Sequence, residues 1–230
     1  MKKKAVAVVM TAVMALGMVS AVSVQAGIED KTLIVGFDAE YPPYGYMDEN
    51  GEYTGFDLEL AQAVCDLEGW ELEKKPINWD SKDMELNSGS IDCIWNGFTM
   101  NGREDDYTFS EPYVDNSQVI VVADDSGIEK LTDLAGKTVG VQAASAALDL
   151  LQSEEEGGQK ELADTFGALN EFADYNTAFT ELQAGALDAL AIDVGVAKYQ
   201  LNSRGEGFKI LDETLNTEQY AIGFKKGNTE

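Results

Sequence analysis

Two phrases far apart in the chain share one wiring. LNSGSIDCIW (residues 86–95) and LQAGALDALAI (residues 182–192) each read as a helix end, a glycine turn, then a short apolar strand opened by an aspartate. A helix that turns on glycine straight into a buried strand is half of a β-α-β unit, so the chain must build open α/β sheets. The surrounding pattern agrees. Thr32 to Phe37 is an apolar run suited to a buried strand, and Asp48 to Gly51 is a hairpin turn. Phe56 to Gly69 carries helical spacing, with Asp57 as the expected N-cap and Gly69 as the C-cap. Strand signals lie at Trp70 to Ile77 and Ile91 to Trp95, with a short helix between them at Ser81 to Ser88. This order predicts a parallel sheet covered by helices on both faces. A second unit begins with the strand Gln118 to Ala123 and adds FKILDE and QYAIGF as further strands. Two copies exclude a tandem solenoid.

In open α/β sheets ligands bind beyond the carboxyl ends of the strands. Asp38 and Tyr41 follow the first strand, and Trp79 follows the second, ELEKKPI. The stretch CIWNGFTMNGRED runs from buried strand into Asn96, Gly97, Thr99 and Arg103. Gln142 and Ser145 open a helix after KTVGV, and Asp193 follows LDALAI. Singly, each is an ordinary cap, surface charge or core ring. Together they place acids, an arginine, aromatics and a helix N-terminus at five strand exits. Asp38 and Asp193 can accept from an ammonium, and Arg103 has the fork to hold a carboxylate. The helix start at Ser145 favours an anion, and Tyr41 and Trp79 can wall a side chain. That is the outline of a site for a free amino acid.

Composition removes several rivals. The chain has no histidine and two cysteines, which excludes Ser-His-Asp and Cys-His machinery, histidine metal sites and thiolate clusters. A net charge of −26 argues against nucleic acid and anionic membranes. Residues 1–26 read as a secretory signal: Lys2, Lys3 and Lys4, an apolar stretch from Ala5 to Val24, and small residues up to Ala26. No cysteine near that cut suggests a lipid anchor. The expected location is outside the cell, periplasmic or at the cell surface. Cys65 and Cys93 fall in a helix and a strand, either as a disulfide or as two buried thiols.

The phrases VGFDAEYPPYGYMDENGEYTGFDLELAQAV, LNSGSIDCIWNGFTMNGRED, FSEPY, LAGKTVGVQAASAA, ALDALAID and EQYAIGFKKGN, spread over about residues 30 to 228, resemble the extracellular solute-binding proteins of family 3. These serve bacterial ABC importers for polar amino acids. The resemblance implies a two-lobed periplasmic-binding-protein fold of type II with two hinge strands, near Asn116 to Ile120 and Glu218 to Phe224. It implies lobe one at 27–117, lobe two at 118–215 and a return to lobe one at 216–230. It implies a monomer that hands a free amino acid to an ABC permease, with no enzyme activity, no cofactor and no metal. By position, Asp38, Tyr41 and Trp79 match ligand contacts of the first lobe, and Asn96, Gly97 and Thr99 match its small polar run. Gln142, Ser145 and Ala146 match the second-lobe helix start, and Asp193 matches the acid for the α-ammonium.

Two departures stand out. Arg103 comes four residues after Thr99, one fewer than usual, and Ala146 removes a hydroxyl. Family members usually continue with helices after a point matching Glu230, so the sequence reads as cut short there. A sensory binding module and a dehydratase on the same fold, using Glu40 or Gln142, are the alternative readings. Gln142 suggests an uncharged polar or sulfur-containing ligand side chain, with a cationic one second.

Overall fold

The computed structural model describes residues 31–229, so the expected signal at residues 1–26 lies outside the described residues. Strand β1 (Thr32–Phe37) runs parallel to β5 (Glu71–Pro76) on one side and to β6 (Cys93–Ile94) on the other. Between β1 and β5 the chain makes a small antiparallel sheet of β2 (Glu40–Tyr41), β3 (Gly45–Met47) and β4 (Tyr53–Thr54). The expected turn joins β3 to β4, with Asp48 accepting from the Asn50 and Glu52 amides. Helix α1 (Phe56–Glu68) buries Leu58, Ala61 and Cys65, spaced three and four apart, on one face. It ends on Gly69 in the left-handed conformation, φ 70°, as its sequence predicts.

Asp57 is not the cap. Gly55 holds that position, and Asp57 sits buried in the first turn, where its carboxylate accepts the Gly97 amide. The helix thereby ties down the exit of β6. Helix α2 (Lys82–Ser88) and a 3-10 turn at Trp79–Ser81 complete this region, and β7 (Tyr107–Phe109) closes its sheet.

The second sheet is built on β8 (Val114–Ala123). Val119 and Val121 enter one core cluster and Ile120 and Val122 another, so both faces of this strand are covered. Next come β9 (Thr138–Gln142), α3 (Ala146–Gln152), α4 (Lys160–Ala163), β10 (Ala168–Phe172), α5 (Tyr175–Gln183), β11 (Ala189–Asp193) and α6 (Val194–Arg204). The chain ends with β12 (Phe208–Ile210), β13 (Asn216–Tyr220) and β14 (Gly223–Lys225).

Both sheets are mixed rather than parallel. Parallel pairing holds for β5, β1 and β6 and for β10, β9 and β11. Strand β8 runs antiparallel to β11, β12 and β13, and β14 runs antiparallel to β6 and β7. The reason is the route of the chain. It leaves the first sheet along β8 and returns along β13, and the QYAIGF segment splits there. Tyr220 stays paired with β8, while Gly223 and Phe224 join the first sheet. Cys65 and Cys93 are free thiols buried in one apolar cluster with Val35, Phe37 and Trp95.

Candidate functional site

Strand pairing brings four polar side chains together where the chain crosses between sheets. Asp193 at the end of β11 is registered opposite Gln118 of β8, and Glu218 of β13 is opposite Asn116. Asn116 and Gln118 are two residues apart, so they share one face of β8. The Asn116 amide donates to Asp193 and to Glu218, at 2.8 Å each. The Gln118 amide does the same at 2.7 and 2.8 Å. The Tyr220 hydroxyl donates to Asp193 and the Thr99 hydroxyl to Glu218, both at 2.7 Å. Asp193 and Glu218 are each under 5% exposed. Neither has a lysine or arginine partner among the described residues. Burial, and then Glu218 beside it, push Asp193 up to about 6. Two acids held by neutral donors in a water-poor hub lack a cation.

Above this hub the two sheets' loops touch across a cleft. Gln142, ending β9, donates to Asp38 Oδ2 at 2.7 Å. Asp38 also accepts the Glu40 amide, and burial outweighs both bonds to push it up to about 6. Asn176 at the start of α5 donates to Glu40. Lys82 at the start of α2 donates to the Ala144 carbonyl at 3.1 Å. Arg103 donates to Asp149 of α3 at 2.7 Å and lies 5.0 Å above the Phe98 ring.

Two cavities open along the cleft. One, of about 520 Å³, is walled by Trp79 and carries the carboxylates of Asp38, Glu40, Asp80, Glu85 and Asp174, with no lysine or arginine in its lining. The other, of about 700 Å³, brings together Lys82, Thr99, Arg103, Ala144, Ala146 and Glu218, with further acids around its rim. The cleft is thus charge-sorted: acids line one end, where only Glu85 has a cation partner, Lys75, and Lys82 and Arg103 line the other.

Trp79, Asp38, Thr99, Arg103 and Ala146 all reach a cavity. Gln142 is beside them, but its amide is engaged by Asp38 and the Ala173 carbonyl. Asp193 lies beneath its amide donors and faces neither cavity. Tyr41 is buried in an apolar cluster with Tyr44, Tyr175 and Tyr220. Asn96 is buried in the loop. Gly97 has φ +57°, and a Cβ there would lie 3.0 Å from the rings of both Tyr41 and Tyr220. The Ser145 hydroxyl is occupied as the cap of α3, accepting the Leu148 amide and donating to the Gln142 carbonyl.

Sequence reasoning passed over Lys82, Asp149 and the role of Glu218. Lys82 looks like any exposed first-turn residue of a short helix. Glu218 could have been found: it is the one acid inside an otherwise strand-like return segment.

Comparison with known proteins gives a consistent picture. The family description "Bacterial extracellular solute-binding proteins, family 3" matches residues 33–230. The chain is 29% identical over 230 residues to the L-cystine-binding protein TcyJ of Escherichia coli (strain K12), covering 95% of this chain and 83% of that one. It is 34% identical over 200 residues to the arginine-binding extracellular protein ArtP of Bacillus subtilis (strain 168), covering 85% and 75%. A histidine-bound substrate-binding protein of an ABC uptake transporter from Streptococcus pneumoniae superposes with a TM-score of 0.79 at 35% identity, covering 85% of this chain and 80% of that chain.

Proposed function

This chain belongs to the bacterial extracellular solute-binding proteins of family 3, and we propose that it captures a free L-amino acid between two lobes and delivers it to an ABC permease in the membrane. Its fold is the two-lobed α/β binding-protein fold of type II. The lobes take residues 27–117 and 118–215, with 216–230 returning to the first, and β8 and β13 act as the hinge. The protein works as a secreted monomer outside the cytoplasm, without catalysis, cofactor or metal.

The observation that carries this reading is the charge sorting of the cleft. A zwitterion needs a carboxylate acceptor for its ammonium and a cation for its carboxylate, both withdrawn from water. The uncompensated pair Asp193 and Glu218 supports an ammonium at the hub once the amides above it shift. Arg103, with Thr99 and the α3 start at Ser145 and Ala146, takes the carboxylate. Tyr41, Asn96 and Gly97 shape the floor, and Gln142 closes against Asp38. For the side chain, the carboxylates of Asp38, Glu40, Asp80 and Asp174 around Trp79 form no ion pair among the described residues, Glu85 alone being paired, with Lys75, and they support a cationic group. This reverses the order that Gln142 alone suggests. The names of the relatives are compatible with it, since arginine and histidine are among their ligands.

A thermal-shift panel of the twenty amino acids with cystine and ornithine tests the reading. Arginine, ornithine or lysine is expected to give the largest shift. No shift with any member would overturn the assignment, and a largest shift with an acidic amino acid would overturn the side-chain reading.

A further inference from the structure

Lys82 is the least exposed lysine among the described residues, at 5%. Its ammonium makes one hydrogen bond, to the Ala144 carbonyl, and stands 5.2 Å from the Trp79 ring centre. An ammonium has three donors, and no carboxylate lies within ion-pair distance of this one. Asp83, Asp149 and Asp80 act on it only through space; burial, and then Arg103 beside it, lower its affinity for the proton. Arg103 is in the opposite condition. Its guanidinium is paired with Asp149, whose side chain is 61% exposed, so it enters the cleft already neutralised. The two cations line the same cavity as Thr99, Ala146 and Glu218.

A buried charge without a counter-ion is costly, and a group that supplies one is held tightly. Arg103 does not need the ligand's carboxylate for neutrality, and Lys82 does. Resting on the amino-acid reading above, we infer that Lys82 is a ligand-contacting cation that shares the α-carboxylate of the bound amino acid with Arg103. The carboxylate replaces the two missing acceptors of the ammonium, while the Ala144 carbonyl and the Trp79 face keep it aimed into the cavity.

Binding of L-arginine and L-argininamide to the full chain, and of L-histidine and histidinamide, separates this role from a purely structural one. The amides keep the ammonium and side chain and lose the negative charge. Lys82→Met keeps the apolar stem and is expected to weaken the free acids ten- to a hundredfold and the amides less than threefold. Lys82→Arg should recover at least half of that loss on a logarithmic scale, and the ligand-free melting temperatures of both variants verify folding. Equal weakening of acid and amide would overturn the inference and leave Lys82 as a lobe-to-lobe clasp. Unchanged affinity in Lys82→Met would overturn it too. Wild-type protein that binds neither amino acid would instead remove the functional reading on which it rests.

Discussion

Three buried carboxylates set the behaviour of single residues with pH. Burial pushes Asp38 and Asp193 up to about 6 and Asp57 up to about 7. An acid whose folded pKa exceeds its unfolded value keeps its proton in the folded state over that interval. The unfolded chain therefore releases protons first, and stability falls as pH rises from about 4 to 7. Ligand-free protein is expected to melt higher at pH 5 than at pH 7.5, and Asp57→Asn should flatten that dependence without changing the ligand. A melting temperature that rises with pH would contradict the shifts. Binding runs the other way: a cationic ligand needs Asp38 and Asp193 ionised, so affinity should fall below about pH 6. Gly97→Ala should cost about 1–3 kcal/mol, because φ +57° and the two tyrosine rings leave no room for a Cβ. Denaturant unfolding measures it, and a neutral result would mean the loop can move. At this scale the sequence was only partly legible. Asp57 has the residue type and position of a cap, yet a glycine two residues earlier holds that place and frees the carboxylate to fix Gly97. Choosing between the two needs the third dimension.

At the scale of elements, α1 and β1 were readable because their periodicity and stop signals are local. Strand direction was not. The antiparallel course of β8, β13 and β14 depends on the chain crossing between sheets twice, and alternation of apolar residues is the same in either direction. The pairing of Glu218 with Asp193 through Asn116 and Gln118 follows from that register and was hidden with it. Cys65 and Cys93 illustrate the same limit: their elements pack together in one cluster, and both thiols remain free. Glu218→Gln should relieve the like-charge pair in the hub. We expect a ligand-free melting temperature that is unchanged or higher, together with at least tenfold weaker amino-acid binding. A lower melting temperature with unchanged binding would show that Glu218 only braces the hinge. On α3, the Arg103–Asp149 pair is half solvated, so Asp149→Asn should alter ligand-free stability by less than about 1 kcal/mol.

Across the whole molecule, the two sheets carry different parts of one cleft. Asp38, Trp79, Lys82 and Arg103 come from the first, and Gln142, Ala146 and Asp149 from the second. A ligand that touches both favours closure by its differential contacts with the closed state. The radius of gyration in solution should fall when ligand is added, and an unchanged radius at saturation would count against hinge closure. Part of the cleft was visible in the sequence: Asp38, Trp79, Thr99 and Arg103, picked out at strand exits, reach its cavities, whereas Tyr41 and Asp193 do not. The acid-lined cavity was not visible, since Asp80 and Glu85, from one turn and the helix it opens, and Asp174, from a distant loop, each read as solvated surface. The central claim is that one amino acid is held at both ends, by Arg103 and by Asp193. Calorimetric titration of L-arginine into wild-type, Arg103→Ala and Asp193→Ala protein tests it most directly. The account predicts micromolar or tighter binding to wild type, and a loss of at least about 2 kcal/mol, roughly thirtyfold, in each variant. Wild-type affinity in both variants would contradict it.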